Sequence, residues 1–122
     1  MTDMVNHPPH YTSCPSGIEC IKIAELLPFC LGNCYKYLHR AGLKGDELTD
    51  LKKSLWYAHR AFLNDEKLPE KAKIRILEVA SHQDLQKKEL LTHFVQKPIG
   101  AFYVYLQSHV SKYTTDLDNC PA

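Results

Sequence analysis

The stretch that most constrains this chain runs from Phe29 to Tyr57, F-C-L-G-N-C-Y-K-Y-L-H-R-A-G-L-K-G-D-E-L-T-D-L-K-K-S-L-W-Y. Its spacing predicts a helix, a glycine-punctuated turn and a second helix. In the first helix Leu31, Cys34, Leu38 and Ala41 supply an apolar stripe. Asn33, Lys36, Tyr37 and Arg40 recur at i, i+3, i+4 and i+7 and so line another face. In the second, Leu48, Leu51, Leu55 and Phe62 form the side to bury, and Asp50, Lys53 and Tyr57 share a polar one. Gly42 stands where a left-handed C-terminal cap belongs, and Gly45 lets the chain reverse again. Asp46 or Thr49 caps the second helix, which is expected to run to about Asn64. Two short helices joined this way bring their polar faces together, and the amide, ammonium, guanidinium and phenol groups found there suit a phosphorylated ligand.

The rest of the chain reads as further helices around this hairpin. Residues 1–16 hold three of the seven prolines and no periodic pattern, which predicts an extended arm stiffened by Pro8 and Pro9 ahead of His10 and Tyr11. Ser16 is a candidate cap for a helix from about Gly17 to Leu27, with Ile18, Ile21, Ala24 and Leu27 on its apolar side, and Pro28 fits the first turn of the next. After a charged linker, Asn64 to Lys67, Pro69 opens a segment with Ala72, Ile76, Val79 and Ala80 on one side. Ser81 to Asp84 resembles a capping box that starts a helix ending near Gln96. Pro98 starts the last helix, with Ile99, Phe102, Leu106 and Tyr113 spaced for packing, and the tail after Tyr113 reads as loose. Strand alternation is unconvincing. The expected fold is all-α, a compact bundle of about five or six helices in a single helical domain over residues 1–122, with residues 66–122 as additional helices.

Composition narrows the function classes. A hydrophobic content of 44% with 24% charged residues is that of an ordinary globular protein. The net charge of +1 provides no global field for nucleic acid, so anion binding must be local. Between Phe29 and Arg60 six Lys or Arg face three acids, too few for an extended nucleic-acid groove. No apolar run approaches the roughly 20 residues that span a bilayer, and the N-terminus lacks a signal-peptide core, which predicts a cytoplasmic protein without a membrane partner. Five scattered cysteines do not read as a disulfide framework.

The candidate phosphate ligands are Lys36, Arg40, Lys44 and Lys53: Arg grips two oxygens with a planar fork, and Lys acts as a mobile point charge. A solvated face whose cations pair with Asp50 and Glu47 would carry the same pattern. Gly32 and Asn33 are both poor helix formers, and together they point either to a tight helix crossing or to a bound ligand. His10 can act as an acid, a base or a phosphate donor near neutral pH. Tyr11 and Tyr57 are candidates to stack on a base, whereas Trp56 is the kind of residue more often found in a core. A zinc site from Cys30, Cys34, His7, His10 and Cys14 lacks any paired C-x-x-C spacing, and no metal site or required cofactor is read here. There is no P-loop and no cluster of acids of the sort that holds magnesium.

Three blocks, N-H-P-P-H-Y at Asn6 to Tyr11 followed by G-I-E-C-I at Gly17 to Ile21, the F-C-L-G-N-C-Y-K-Y-L-H-R-A-G-L-K-G block, and D-L-K-K-S-L-W-Y at Asp50 to Tyr57, together resemble a family of small bacteriophage proteins. That family shares its signature domain with a nucleotide kinase of a T-odd coliphage, which phosphorylates deoxynucleoside monophosphates without a P-loop. The likeness covers residues 1–65. It implies a nucleotide site built from His10, Tyr11, Asn33, Lys36, Tyr37, Arg40 and Lys53, assembly into homo-oligomers, and the cytoplasm of an infected bacterial host as the compartment. On this reading Lys36 and Arg40 serve phosphoryl transfer with His10, and Tyr11 or Tyr37 stacks on the base. Two other functions stand beside it: a sponge that uses the same residues to sequester a nucleotide signal of host immunity without turnover, and a phage protein that docks on a host enzyme through the additional C-terminal helices, the basic face being incidental.

Overall fold

The structure, a computed structural model, describes residues 14–43 and 45–118, with residues 113–118 described by backbone course only. It is all-helical: α1 (Cys20–Ala24), α2 (Phe29–Arg40), α3 (Glu47–Leu63), α4 (Glu70–Ala80), α5 (Leu85–Gln96) and α6 (Ile99–Asp118). Among the described residues there is no strand, and no helix is long and apolar enough to cross a membrane.

The centre is the α2–α3 hairpin. Its pairings run in opposite senses along the two helices, with Arg40 beside Asp50, Cys34 beside Ser54 and Cys30 beside Asn64, so the helices are antiparallel. Gly42 and Gly45 take φ of +84° and +72° in the turn, the left-handed region that a Cβ disfavours. Asp46 caps α3 by accepting from the Leu48 N–H, and the Thr49 hydroxyl donates to the same carboxylate. Of the two candidate caps, Asp46 takes the position and Thr49 supports it.

The apolar stripe predicted for α2 is buried throughout, with Leu31, Cys34, Leu38 and Ala41 at most 6% exposed. It is joined by Tyr35 and His39, which the sequence reading left unassigned. On α3 the prediction holds for Leu51 alone: Ser54, Ala58 and Ala61 make the tight seam, Leu48 and Leu55 are half-buried, and Phe62 is 53% exposed. Small residues win because two antiparallel backbones in close contact leave no room for branched side chains. From α4 to α6 the core adds Ala72, Ile76, Val79, Leu91, Phe94, Phe102 and Leu106. Each large apolar side chain there contributes about 1.5–3 kcal/mol by leaving water.

Several element boundaries differ from the sequence reading. Ser16 accepts a hydrogen bond from the Ile18 N–H in a turn, and α1 is a short helix that starts only at Cys20 after Glu19. Pro28 sits one place before the first helical residue of α2. Ser81 closes α4, its hydroxyl donating to the Glu78 carbonyl, and it is Asp84 that caps α5 by accepting from the Lys87 N–H. The last helix continues past Tyr113 to Asp118, because no glycine or proline interrupts the chain between Gly100 and Pro121. The Tyr113 side chain lies outside the described residues, as does the Pro-rich arm through residue 13.

Candidate cationic-aromatic face of the hairpin

The polar face of the hairpin centres on two tyrosine rings. Tyr37 from α2 and Tyr57 from α3 stack with centroids 6.1 Å apart and planes inclined by 15°. Lys36 and Lys53, one from each helix, place their Nζ atoms 5.1 Å and 5.4 Å from the Tyr37 centroid, within cation–π range. Two like charges are thus held at one ring, and their mutual repulsion favours an anion beside them. Phe29 and Trp56 meet the edge of Tyr57 at centroid distances of 6.4 Å and 5.0 Å. Both remain largely in water, at 74% and 61% exposure. Trp56 is therefore not a core residue: its position on α3 lies away from the Ser54–Ala58–Ala61 seam. With Tyr37 already engaged on Tyr57 and both lysines, the rings with surface to spare are Phe29 and Trp56.

The other candidates divide. The Arg40 guanidinium lies 3.6 Å from the Asp50 carboxylate, an ion pair without a hydrogen bond. Asp50 does not stand on the open face beside Lys53 and Tyr57, being only 3% exposed. Burial raises its pKa, and the charges of Arg40 and Lys53 pull the other way. For Arg40 the internal-pairing alternative thus describes what the side chain does. The Asn33 side-chain amide donates to the Phe29 carbonyl one turn back. Beside it, a Cβ on Gly32 would come 3.2 Å from the Ala24 carbonyl, so the glycine serves the close approach of α1's exit to α2. His10, Tyr11 and Lys44 lie outside the described residues.

The thiols are dispersed. Cys34 faces Ser54, Cys30 neighbours Asn64, and Cys14 neighbours Ser16 and Gln83. All four described cysteines are free, and burial pushes Cys20 and Cys34 up to about 12. Among the described residues no group of three or more His, Cys, Asp or Glu is placed to hold a metal ion.

Two residues that the sequence reading passed over fix the helix carrying these groups. At its N-terminus, the Glu66 carboxylate accepts from the N–H groups of Cys30 (3.2 Å) and Leu31 (2.8 Å). At its C-terminus, Lys87 Nζ donates to the carbonyls of His39 (2.6 Å) and Ala41 (2.9 Å). Each charge has the sign that the helix dipole favours at that end. Glu66 reaches its place because α3 ends in a Schellman turn: Asp65 takes φ of +54°, its N–H bonds the Phe62 carbonyl, and the Glu66 N–H bonds Ala61. The visible signal was an Asp one residue past an Asn cap, a position where Asp tolerates the left-handed region. Next to Lys87, His39 is 1% exposed, and its Nδ1 lies 2.7 Å from the Tyr35 hydroxyl. Burial, then the Lys87 charge, lowers its pKa to about 4, so the ring is neutral at physiological pH.

A cavity of about 890 Å³ lies elsewhere, where Leu31, His59 and Phe62 meet the start of α6, and none of Lys36, Tyr37, Arg40, Lys53 or Tyr57 lines it.

Residues 5–59 match a family described as a protein of unknown function, DUF3310. The matched segment contains the whole hairpin face from Phe29 to Tyr57, and the family's description assigns it no activity. No curated protein and no solved structure matches the chain.

Proposed function

We propose that this chain is a nucleotide-binding protein of bacteriophage origin, with its site on the Tyr37–Tyr57 face. The observation that carries the reading is the convergence of Lys36 and Lys53, from two different helices, on one tyrosine ring. The ring pays part of the cost of holding two ammonium groups close, and an anionic phosphate completes the neutralisation. The exposed rings of Phe29 and Trp56, which pack on Tyr57 beside that cluster, offer the base a surface to stack on. A second subunit of a homo-oligomer would enclose a ligand held on so open a face.

The activity implied by the motif resemblance is phosphoryl transfer from a nucleoside triphosphate to a deoxynucleoside monophosphate. Lys36 and Lys53 would neutralise the transferring group and hold it in line, and Arg40 would grip phosphate oxygens on turning from Asp50. Binding without turnover, as in a sponge for a nucleotide signal, is the second reading. It draws on Asp50: its carboxylate is buried beside Arg40 and does not stand on the face with Lys53, where it could hold a metal ion on the phosphates. Incubating the protein with labelled ATP and each of the four deoxynucleoside monophosphates separates the two. Diphosphate product identifies the transferase, and recovery of bound nucleotide intact after denaturation identifies the sponge. The absence of both product and bound nucleotide would retire the proposal.

A further inference from the structure

We propose that the cavity between the hairpin and the C-terminal helices binds a small amphiphilic anion: an aliphatic or aromatic body carrying a carboxylate or sulfonate head. Its volume of about 890 Å³ falls within the roughly 300–1,000 Å³ of small-molecule sites. The floor is true core, since Leu31, Phe94 and Val95 line it at 2%, 3% and 8% exposure. One wall is the first turn of α6, where a Cβ on Gly100 would come 2.9 Å from the Phe62 ring. Glycine there lets α6 close against Phe62.

The charges around it select the head group. Its two acids are already engaged: Asp65 pairs with Lys67 at 2.9 Å, and Glu66 is spent on the N–H groups of Cys30 and Leu31. Lys73 bonds Glu70, which stands outside the lining. Lys97 forms no ion pair among the described residues and sits 6.0 Å above the Tyr105 ring, free to swing to a ligand. An apolar floor beneath an ammonium that meets a ring face and no described carboxylate fits an apolar anion and repels a cation of equal length. Only Leu31 and His59 of its lining come from the matched residues 5–59, so this site belongs to the added helices and is separate from the nucleotide face.

Titrating the full chain with the dye anilinonaphthalene sulfonate tests this. The expected result is saturable binding at one site, with decanoate displacing the dye and decyltrimethylammonium, below its micelle concentration, failing to do so. Lys97→Glu should weaken the dye roughly tenfold, as reversing one partly exposed charge does. Val104→Trp, at a wall position 62% exposed, should block the cavity while leaving the helical circular dichroism intact. Three results overturn the proposal: no saturable binding, equal displacement by the cationic and anionic chains, or binding that survives both variants and falls instead with Phe29→Ser, which would put the dye on the exposed rings.

Discussion

Acidification should loosen the end of α2 through one residue, His39. Its folded pKa of about 4 stands against an ordinary value of 6.5. Folding therefore prefers the neutral ring, and the unfolded chain binds more protons in the interval between those values. The sign follows: this stability is fully present above pH 6.5 and is lost as pH falls through about 4. At about 1.4 kcal/mol per pH unit, the loss between pH 7 and pH 4 is about 3 kcal/mol, of the order of a quarter to a half of a small domain's stability. Carboxylates titrate in the same range, so the quantity to measure is a difference. Urea unfolding of the wild type and of His39→Asn, which keeps an acceptor near the Tyr35 hydroxyl, should be followed from pH 7 to pH 4. The variant should be less stable at pH 7, where it lacks the ring's packing, and its deficit should shrink by about 3 kcal/mol by pH 4. Parallel curves for the two proteins would refute the buried neutral imidazole. Lys87→Met supplies a cross-check, because removing the neighbouring charge raises the folded pKa of His39 and should make the loss smaller, ending at a higher pH.

The two end clamps of α2 give further predictions. Lys87→Met deprives two carbonyls of a charged donor and relieves a buried ammonium whose own pKa burial lowers. The net cost is expected at about 2 kcal/mol in chemical denaturation; no loss would mean that the bonds merely offset the desolvation. Glu66→Ala should cost about 1–2 kcal/mol by the same measurement, and Glu66→Gln, which keeps an acceptor, less than half of that. Both variants should also speed amide hydrogen exchange in α2 more than in α5, and uniform exchange across the two helices would contradict the clamp.

These clamps mark the limit of what could be read from the sequence. The hairpin itself was legible because its information is local: the stripe Leu31–Cys34–Leu38–Ala41, the glycines at 42 and 45, and the cap at Asp46 each act within a few residues of their own position. Tyr35 and His39 were not, because two polar side chains become core residues only by meeting each other and Phe94. Glu66 and Lys87 looked like ordinary surface charges, and their partners lie 35 and 48 residues away along the chain. On the candidate face, helical spacing brought Lys36, Tyr37, Lys53 and Tyr57 together as expected. It did not reveal that Asp50 turns inward to Arg40, or that Trp56 turns out, because both depend on which side of α3 the small-residue seam occupies.

The measurement closest to the central claim is a calorimetric titration of ATP and of each deoxynucleoside monophosphate into the wild type and into the Lys36→Ala, Lys53→Ala double variant. Nucleotide binding on the Tyr37–Tyr57 face predicts saturable heat from at least one of them. Affinity should then fall roughly 100-fold or more in the double variant, from the loss of two charge-assisted contacts, with Trp56 fluorescence changing on binding to the wild type alone. Equal affinity in the two proteins, or no binding of any nucleotide to either, would contradict it.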